Sequence, residues 1–120
     1  QTPSSSSLYK SRFLARTGNK LYRIPIQRIV CFYKDDLVMI HTQEGKRYPI
    51  DQSLEEISKQ LSPNDFFRIN RQCIIHAQFI SEMRVEGNQI QVSLTYFQKA
   101  VTVSQRNMAK FKKWLNEELE

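Results

Sequence analysis

A chain of 120 residues with ordinary hydrophobic and charged fractions has room for one globular domain with a modest core. No apolar run approaches the roughly 20 residues of a spanning helix, and nothing behind the N-terminus reads as a secretory leader. The net charge of +6 is unevenly spread: Gln1 to Lys34 holds seven Lys or Arg and no acid, and Lys99 to Lys113 holds five and no acid. Such segregation points to a positive face for an anionic partner, nucleic acid being the commonest, with a merely solvated basic surface as the plain alternative.

In chain order, the opening QTPSSSS cannot bury anything and reads as linker, so residues 1–9 are assigned to a flexible segment and 10–120 to the domain. A chain beginning at Gln1 rather than Met is expected to be a piece of something longer. From Leu8, LYKSRFLARTGNKLYRIPI alternates apolar and basic residues, giving a strand, a turn at Gly18-Asn19 and a second strand. Ile29 to Phe32 forms a short apolar strand, YKDD a connection, Leu37 to Thr42 another strand, and Glu44-Gly45 a hairpin turn into Lys46 to Ile50.

DQSLEEISKQLSP breaks the strand pattern. Ser53 with Glu56 makes a capping box, Leu54, Ile57 and Leu61 share one stripe, and Pro63 ends the helix. FISEMRVEGNQIQVSLTYFQKAVTVS returns to strands with Gly87-Asn88 as its tightest turn. SQRNMAKFKKWLNEELE is a final helix, N-capped by Ser104, with Met108, Phe111, Leu115 and Leu119 as its apolar stripe and a last turn frayed by Glu117, Glu118 and Glu120. The sum is a mainly β fold of many short antiparallel strands with two short helices.

Groups that could converge for catalysis are thin. His41 and His76 lack a Cys, Asp or second His at ligand spacing, so both read as structural histidines. Asp35 and Asp36 are adjacent in a turn and diverge, EGKRY lacks the spacing of a phosphate loop, and Cys31 and Cys73 fit no metal or redox motif and read as buried, reduced thiols. An enzyme is not indicated, and no metal or cofactor is implied.

Nucleic acid fares better, because phosphates ask for Lys, Arg and small polar donors while base edges ask for planar donors such as Arg and Asn. Such groups interrupt the pattern at YKDD, at RINRQ and at SQRN. In FFRINRQCIIH, Asn70 is expected to cap a short helical turn, with Arg71 at its exposed tip and Cys73, Ile74 and Ala77 inward. Arg68 is expected to pair with an acid or stack on a ring, and Arg106 to project from the first turn of the final helix, whose free N–H groups suit a phosphate.

NDFFRINRQCIIHAQFISEM resembles the signature of the LytTR DNA-binding domain, an FxRxHRS-like stretch before an apolar run. SLEEISKQLSPNDFF is similar to that family's short helix leading into the signature, and VTVSQRNMAKFKKWL to its closing strand, Ser-Arg element and last helix; the resemblance as a whole covers about Tyr22 to Leu115. The resemblance implies an elongated antiparallel β-sandwich of about ten strands whose loops enter the grooves of duplex DNA. It places base contacts at Arg71 and Arg106, with Lys34 standing in at YKDD, where Asp35 and Asp36 depart from the family. Backbone contacts fall to Asn70, where the family commonly has His, and to Ser104, Asn107 and Lys110. It further implies the output domain of a cytoplasmic bacterial two-component regulator behind a receiver domain, with paired copies on direct repeats and an isolated domain that can be monomeric. Two other readings stay open: a single-strand or RNA binder stacking bases on Tyr33, Tyr48 and Tyr96, and a protein-interaction module indifferent to DNA.

Overall fold

The computed structural model describes residues 9–119, with side chains described to residue 116. Ten strands and two α-helices follow one another: β1 (Arg12–Thr17), β2 (Lys20–Pro25), β3 (Ile29–Lys34), β4 (Val38–Thr42), β5 (Arg47–Pro49), α1 (Leu54–Gln60), β6 (Phe66–Asn70), β7 (Cys73–His76), β8 (Ile80–Glu86), β9 (Gln89–Leu94), β10 (Phe97–Thr102) and α2 (Met108–Leu119). They form three antiparallel sheets: β1-β2, the five-stranded β5-β4-β3-β7-β6, and β10-β9-β8. The mainly β, ten-stranded, two-helix expectation is met. The linker, the start of order at Leu8 and the frayed last turn lie outside the described residues or side chains.

The five-stranded sheet is the middle layer. One of its faces, with Val30, Cys31, Ile69, Cys73 and Ile75, packs on Val92, Val101 and Val103 of the three-stranded layer and on Phe111 and Trp114 of α2. The other face, with Ile29, Phe32, Ile40 and Ile74, packs on Phe13, Ala15 and Ile24 of the β1-β2 hairpin and on Leu54, Ile57 and Leu61 at α1. Double coverage explains why IVCF and CII are unbroken apolar runs rather than alternating ones.

Local signals set most boundaries. The capping box is made in full, Glu56 N–H donating to Ser53 Oγ at 3.0 Å and Ser53 N–H to Glu56 Oε1 at 3.0 Å. Gly18 and Gly87 sit at φ +63° and +60° as first residues of two-residue hairpin turns, the position where glycine is favoured. Other expectations need correction. β3 runs on through Lys34, because Tyr33 and Lys34 pair with Met39 and Val38 of β4, so the connection is only Asp35 to Leu37. Nor does a helical turn follow Asn70: β6 and β7 form a hairpin around Arg71 and Gln72, with a bulge between Arg68 and Asn70. Cys73 and Ile74 are both buried, on opposite faces, whereas Ala77 is half-exposed.

The polar residues within the core are tied down. His76 shares a hydrogen bond of 2.8 Å between its Nδ1 and the Ile29 carbonyl and stacks on Phe66. Cys31 and Cys73, far apart in sequence, are diagonal neighbours on β3 and β7, both buried and free; burial first, then its hydrogen bond to Cys73, pushes the Cys31 thiol well up, which keeps it protonated. His41 presents its ring edge to Phe97 at 4.8 Å, and burial first, then the charges of Arg47 and Lys99, lower its pKa from 6.5 to about 4.

Linkage follows from that His41 shift. An unfolded His41 takes up its proton near pH 6.5 and the folded one only near 4, so its contribution is whole above 6.5 and is lost as pH falls through that window. The melting temperature of the wild type should therefore drop across this interval, and His41→Phe should remove that part of the drop. Thermal melts above and below the window check it; an unchanged slope in the variant would assign the acid sensitivity elsewhere.

Candidate nucleic-acid interface

Arg71 and Arg106 are 35 positions apart, yet they line one groove of about 990 Å³. Its other walls are Arg68, Asn70, Gln72, Thr102, Ser104, Asn107 and Lys110, and no carboxylate lines it. Two segments build it: the β6–β7 hairpin, which carries Arg71 at its exposed tip, and the junction from β10 into α2, which carries Arg106 and then Lys110.

Three side-chain or main-chain tethers clamp those segments together. Asn70 Nδ2 donates to the Thr102 carbonyl at 2.7 Å, Ser104 N–H donates to the Ile69 carbonyl at 2.9 Å, and Asn107 Nδ2 donates to the carbonyls of Ile69 and Arg68 at 3.4 and 3.5 Å. Asn70 works twice, because its Oδ1 also accepts from Gln72 N–H at 2.7 Å and closes the turn. Arg68 meets neither an acid nor a ring as expected; its Nε and Nη2 donate to the carbonyls of Asn70 and Arg71 at 3.3 Å each, bracing the hairpin from below.

The junction differs from expectation in one respect. Ser104 does not cap a helix with its side chain: a 3₁₀ turn over Gln105–Asn107 comes first, Asn107 N–H donates to the Ser104 main-chain carbonyl, and the buried Ser104 Oγ has no partner among the described residues. Arg106 still projects from this first turn into solvent. Gln72, Thr102 and Arg68 join the groove beyond the residues expected from the sequence: Gln72 follows Arg71 in the chain, Thr102 accepts from Asn70, and Arg68 donates to the Asn70 and Arg71 carbonyls.

Lys34 is placed differently from the two arginines. Its backbone N–H donates to the Gln72 carbonyl at 2.8 Å, so the β3–β4 turn abuts the Arg71 hairpin. Lys34 does not line the arginine groove, however, but a separate hollow with Asp36, Asp51 and Glu56. The tyrosines of the single-strand reading each have a different ring partner: Tyr33 packs against His41 and Phe97 beneath Lys99, Tyr48 against Tyr22, and Tyr96, at the β9–β10 turn, against Phe79.

A groove of four cations and five polar donors with no acid suits a polyanion presenting both phosphates and hydrogen-bonding edges. The family model of the LytTr DNA-binding domain matches residues 19–116. The chain belongs to the LytTR DNA-binding domain family. Among solved structures it is similar to a chain from Bacillus cereus described as the LytTr DNA-binding domain of a methyl-accepting/DNA response regulator, with a TM-score of 0.79, 21% identity, and coverage of 88% of this chain and 97% of that one. At that identity the likeness speaks for the fold. No curated protein matches the sequence. As a LytTR domain the chain is a DNA-binding module, and no described helix is long and apolar enough to cross a membrane.

The tethers make one residue a sensitive reporter of this LytTR groove. Asn70→Ala leaves the Thr102 carbonyl and Gln72 N–H to find water, so a loss of about 1–3 kcal/mol in stability is expected. DNA affinity should fall as well, since the hairpin is no longer held against the β10–α2 junction. Chemical denaturation and duplex titration of the variant check this; full affinity in a destabilised variant would show that the clamp does not position Arg71.

Proposed function

We propose that this domain binds duplex DNA in a sequence-specific manner, with Arg71 and Arg106 reading base edges in the groove of the double helix. The observation that carries the reading is the convergence of these two arginines on one acid-free groove from distant parts of the chain. Lys110 neutralises a flanking phosphate. Asn70, Ser104 and Asn107 act on the DNA backbone mainly by holding the two arginine-bearing segments in place; Asn70, whose amide nitrogen makes one hydrogen bond, retains a spare amide hydrogen for a phosphate. Lys34 contacts the duplex at the margin, beyond the Arg71 hairpin, and contributes less than either arginine.

In the same proposal the domain is the output module of a bacterial two-component regulator in the cytoplasm, joined through its N-terminal segment to a receiver domain. Paired copies would occupy direct-repeat sites, driven together by the receiver. The chain has no catalytic duty. Selection of bound sites from a random duplex pool tests the core of this reading: a defined motif, and preference for duplex over single strands of the same sequence, are the expected results. Affinity should fall with salt at a slope of about −0.9 per phosphate neutralised. Absence of any enriched motif, with retained folding, would overturn it.

A further inference from the structure

The outer edge of the three-stranded sheet is bare. β8 pairs with β9 on one side and, among the described residues, with nothing on the other; every residue from Ser81 to Glu86 is exposed. The register fixes what this edge offers. Met83 stands opposite Val92 and Val85 opposite Ile90, and directly opposed residues of an antiparallel pair share a face, so Met83 and Val85 project to the core side. Val92 and Ile90 are buried there, yet Met83 is 42% and Val85 72% exposed. The sheet thus overhangs its own core by one strand, while Glu82, Arg84 and Glu86 alternate onto the other face.

Backbone polarity follows from the turn. A two-residue hairpin closes on a hydrogen-bonded pair, here Glu86 with Gln89, and every second pair beyond it is bonded likewise. Glu86 and Arg84 therefore direct their N–H and C=O groups to β9. Val85 and Met83 direct theirs to the bare side.

We propose that β8 is a self-pairing edge, joining β8 of a second copy in antiparallel fashion about a two-fold axis at Met83, so that two three-stranded sheets become one of six. This register opposes Met83 to Met83 of the second copy, which matches their free backbone groups, and Val85 to its Ser81, the residue at the bulge between Ile80 and Glu82. It also opposes Glu82 to Arg84 of the second copy, and Arg84 to its Glu82, at non-hydrogen-bonded sites where side chains approach most closely. An axis at Arg84 would set arginine against arginine and Glu82 against Glu86, and like charges directly opposed are destabilising. Charges on an edge commonly blunt pairing; here their alternating sign blunts the shifted register and favours this one. Within one copy Glu82 and Arg84 touch at 3.4 Å with side chains 59% and 64% exposed, so both remain open to a new partner.

The pairing uses no groove residue. β8 runs toward the groove end of the molecule, where Val103 N–H donates to the Ile90 carbonyl beside the Gly87-Asn88 turn. A two-fold axis then points the two grooves in opposite senses, an arrangement suited to holding two separate duplex segments rather than adjacent repeats.

Sedimentation equilibrium of the wild type, E82R, R84E and E82R/R84E tests the proposal. The wild type should self-associate as concentration rises, each single reversal should weaken association about ten-fold by turning two cross-strand pairs repulsive, and the double reversal should restore it. Amide exchange supplies the second readout: Met83 and Val85 gain protection with concentration, while Arg84, already bonded to β9, does not. A chain that stays monomeric to its solubility limit, a double variant as weak as the singles, or protection that builds elsewhere would overturn it. Duplex affinity, which none of these substitutions touches directly, separates this outcome from failure of the DNA reading.

Discussion

Trp114→Ala should destabilise the domain by about 3–5 kcal/mol, the range for truncating a large aromatic in a packed core. Trp114 is 7% exposed; its ring stacks on Phe67 at 5.1 Å and lies 5.9 Å from Phe111, and its Nε1–H donates to the Pro63 carbonyl at 2.7 Å. That single side chain therefore joins α2 to β6 and to the loop after α1. Trp114→Phe keeps the ring stack and gives up the hydrogen bond, so a loss of only about 0.5–1.5 kcal/mol is expected. A total stability of about 5–15 kcal/mol is usual for a domain, so the alanine variant spends a large share of it. Urea denaturation followed by circular dichroism measures both, since Trp114 is the only tryptophan and fluorescence is lost with it. Equal losses for Ala and Phe would move the weight from the ring to the hydrogen bond.

That Trp114 is the anchor was hidden in the sequence for a simple reason. An apolar stripe through Met108, Phe111, Leu115 and Leu119 satisfies the helical period, and Trp114 sits one position off it; the structure rotates the helix so that Phe111 and Trp114 are buried while Met108 and Leu115 pack at the margin. Where a signal is local and chemical, the reading holds: the Ser53–Glu56 capping box and the turns at Gly18 and Gly87 need nothing beyond their own neighbours. Where tertiary partners decide, it fails. The polar RINRQ looked like a cap and turn, but pairing of β7 with both β3 and β6 makes it a hairpin whose Asn70 reaches 32 positions ahead to Thr102. The residue type of Ser104 suits a side-chain cap, whereas the tether of its N–H to Ile69 goes with a 3₁₀ start instead. The meeting of Arg71 with Arg106 was legible only through the likeness of three motifs to a family. No spacing rule brings those two positions together.

Arg106→Ala and Arg71→Ala should each remove discrimination rather than mere attraction. A good bidentate contact from arginine to guanine is worth about 1–3 kcal/mol against the wrong base, so affinity for the selected site should fall about 5- to 150-fold while binding to random duplex changes little. Lys110→Ala should instead weaken specific and random duplex alike and flatten the salt dependence by about one phosphate. The contrast has a structural cause: Arg71 and Arg106 stand on segments held by three tethers, so their planar donors are presented in fixed register, whereas Lys110 offers a point charge on a flexible stem. Arg68 is the informative control among the groove cations, because its guanidinium already serves the carbonyls of Asn70 and Arg71. Arg68→Ala should cost stability and disturb Arg71, so its loss of specificity should not add to that of Arg71→Ala in a double variant, while the losses at Arg71 and Arg106 should add. Titrations of the single and double variants on selected and scrambled duplexes decide between them. Parallel losses on both duplexes for Arg71 and Arg106 would reduce the groove to a general anion site.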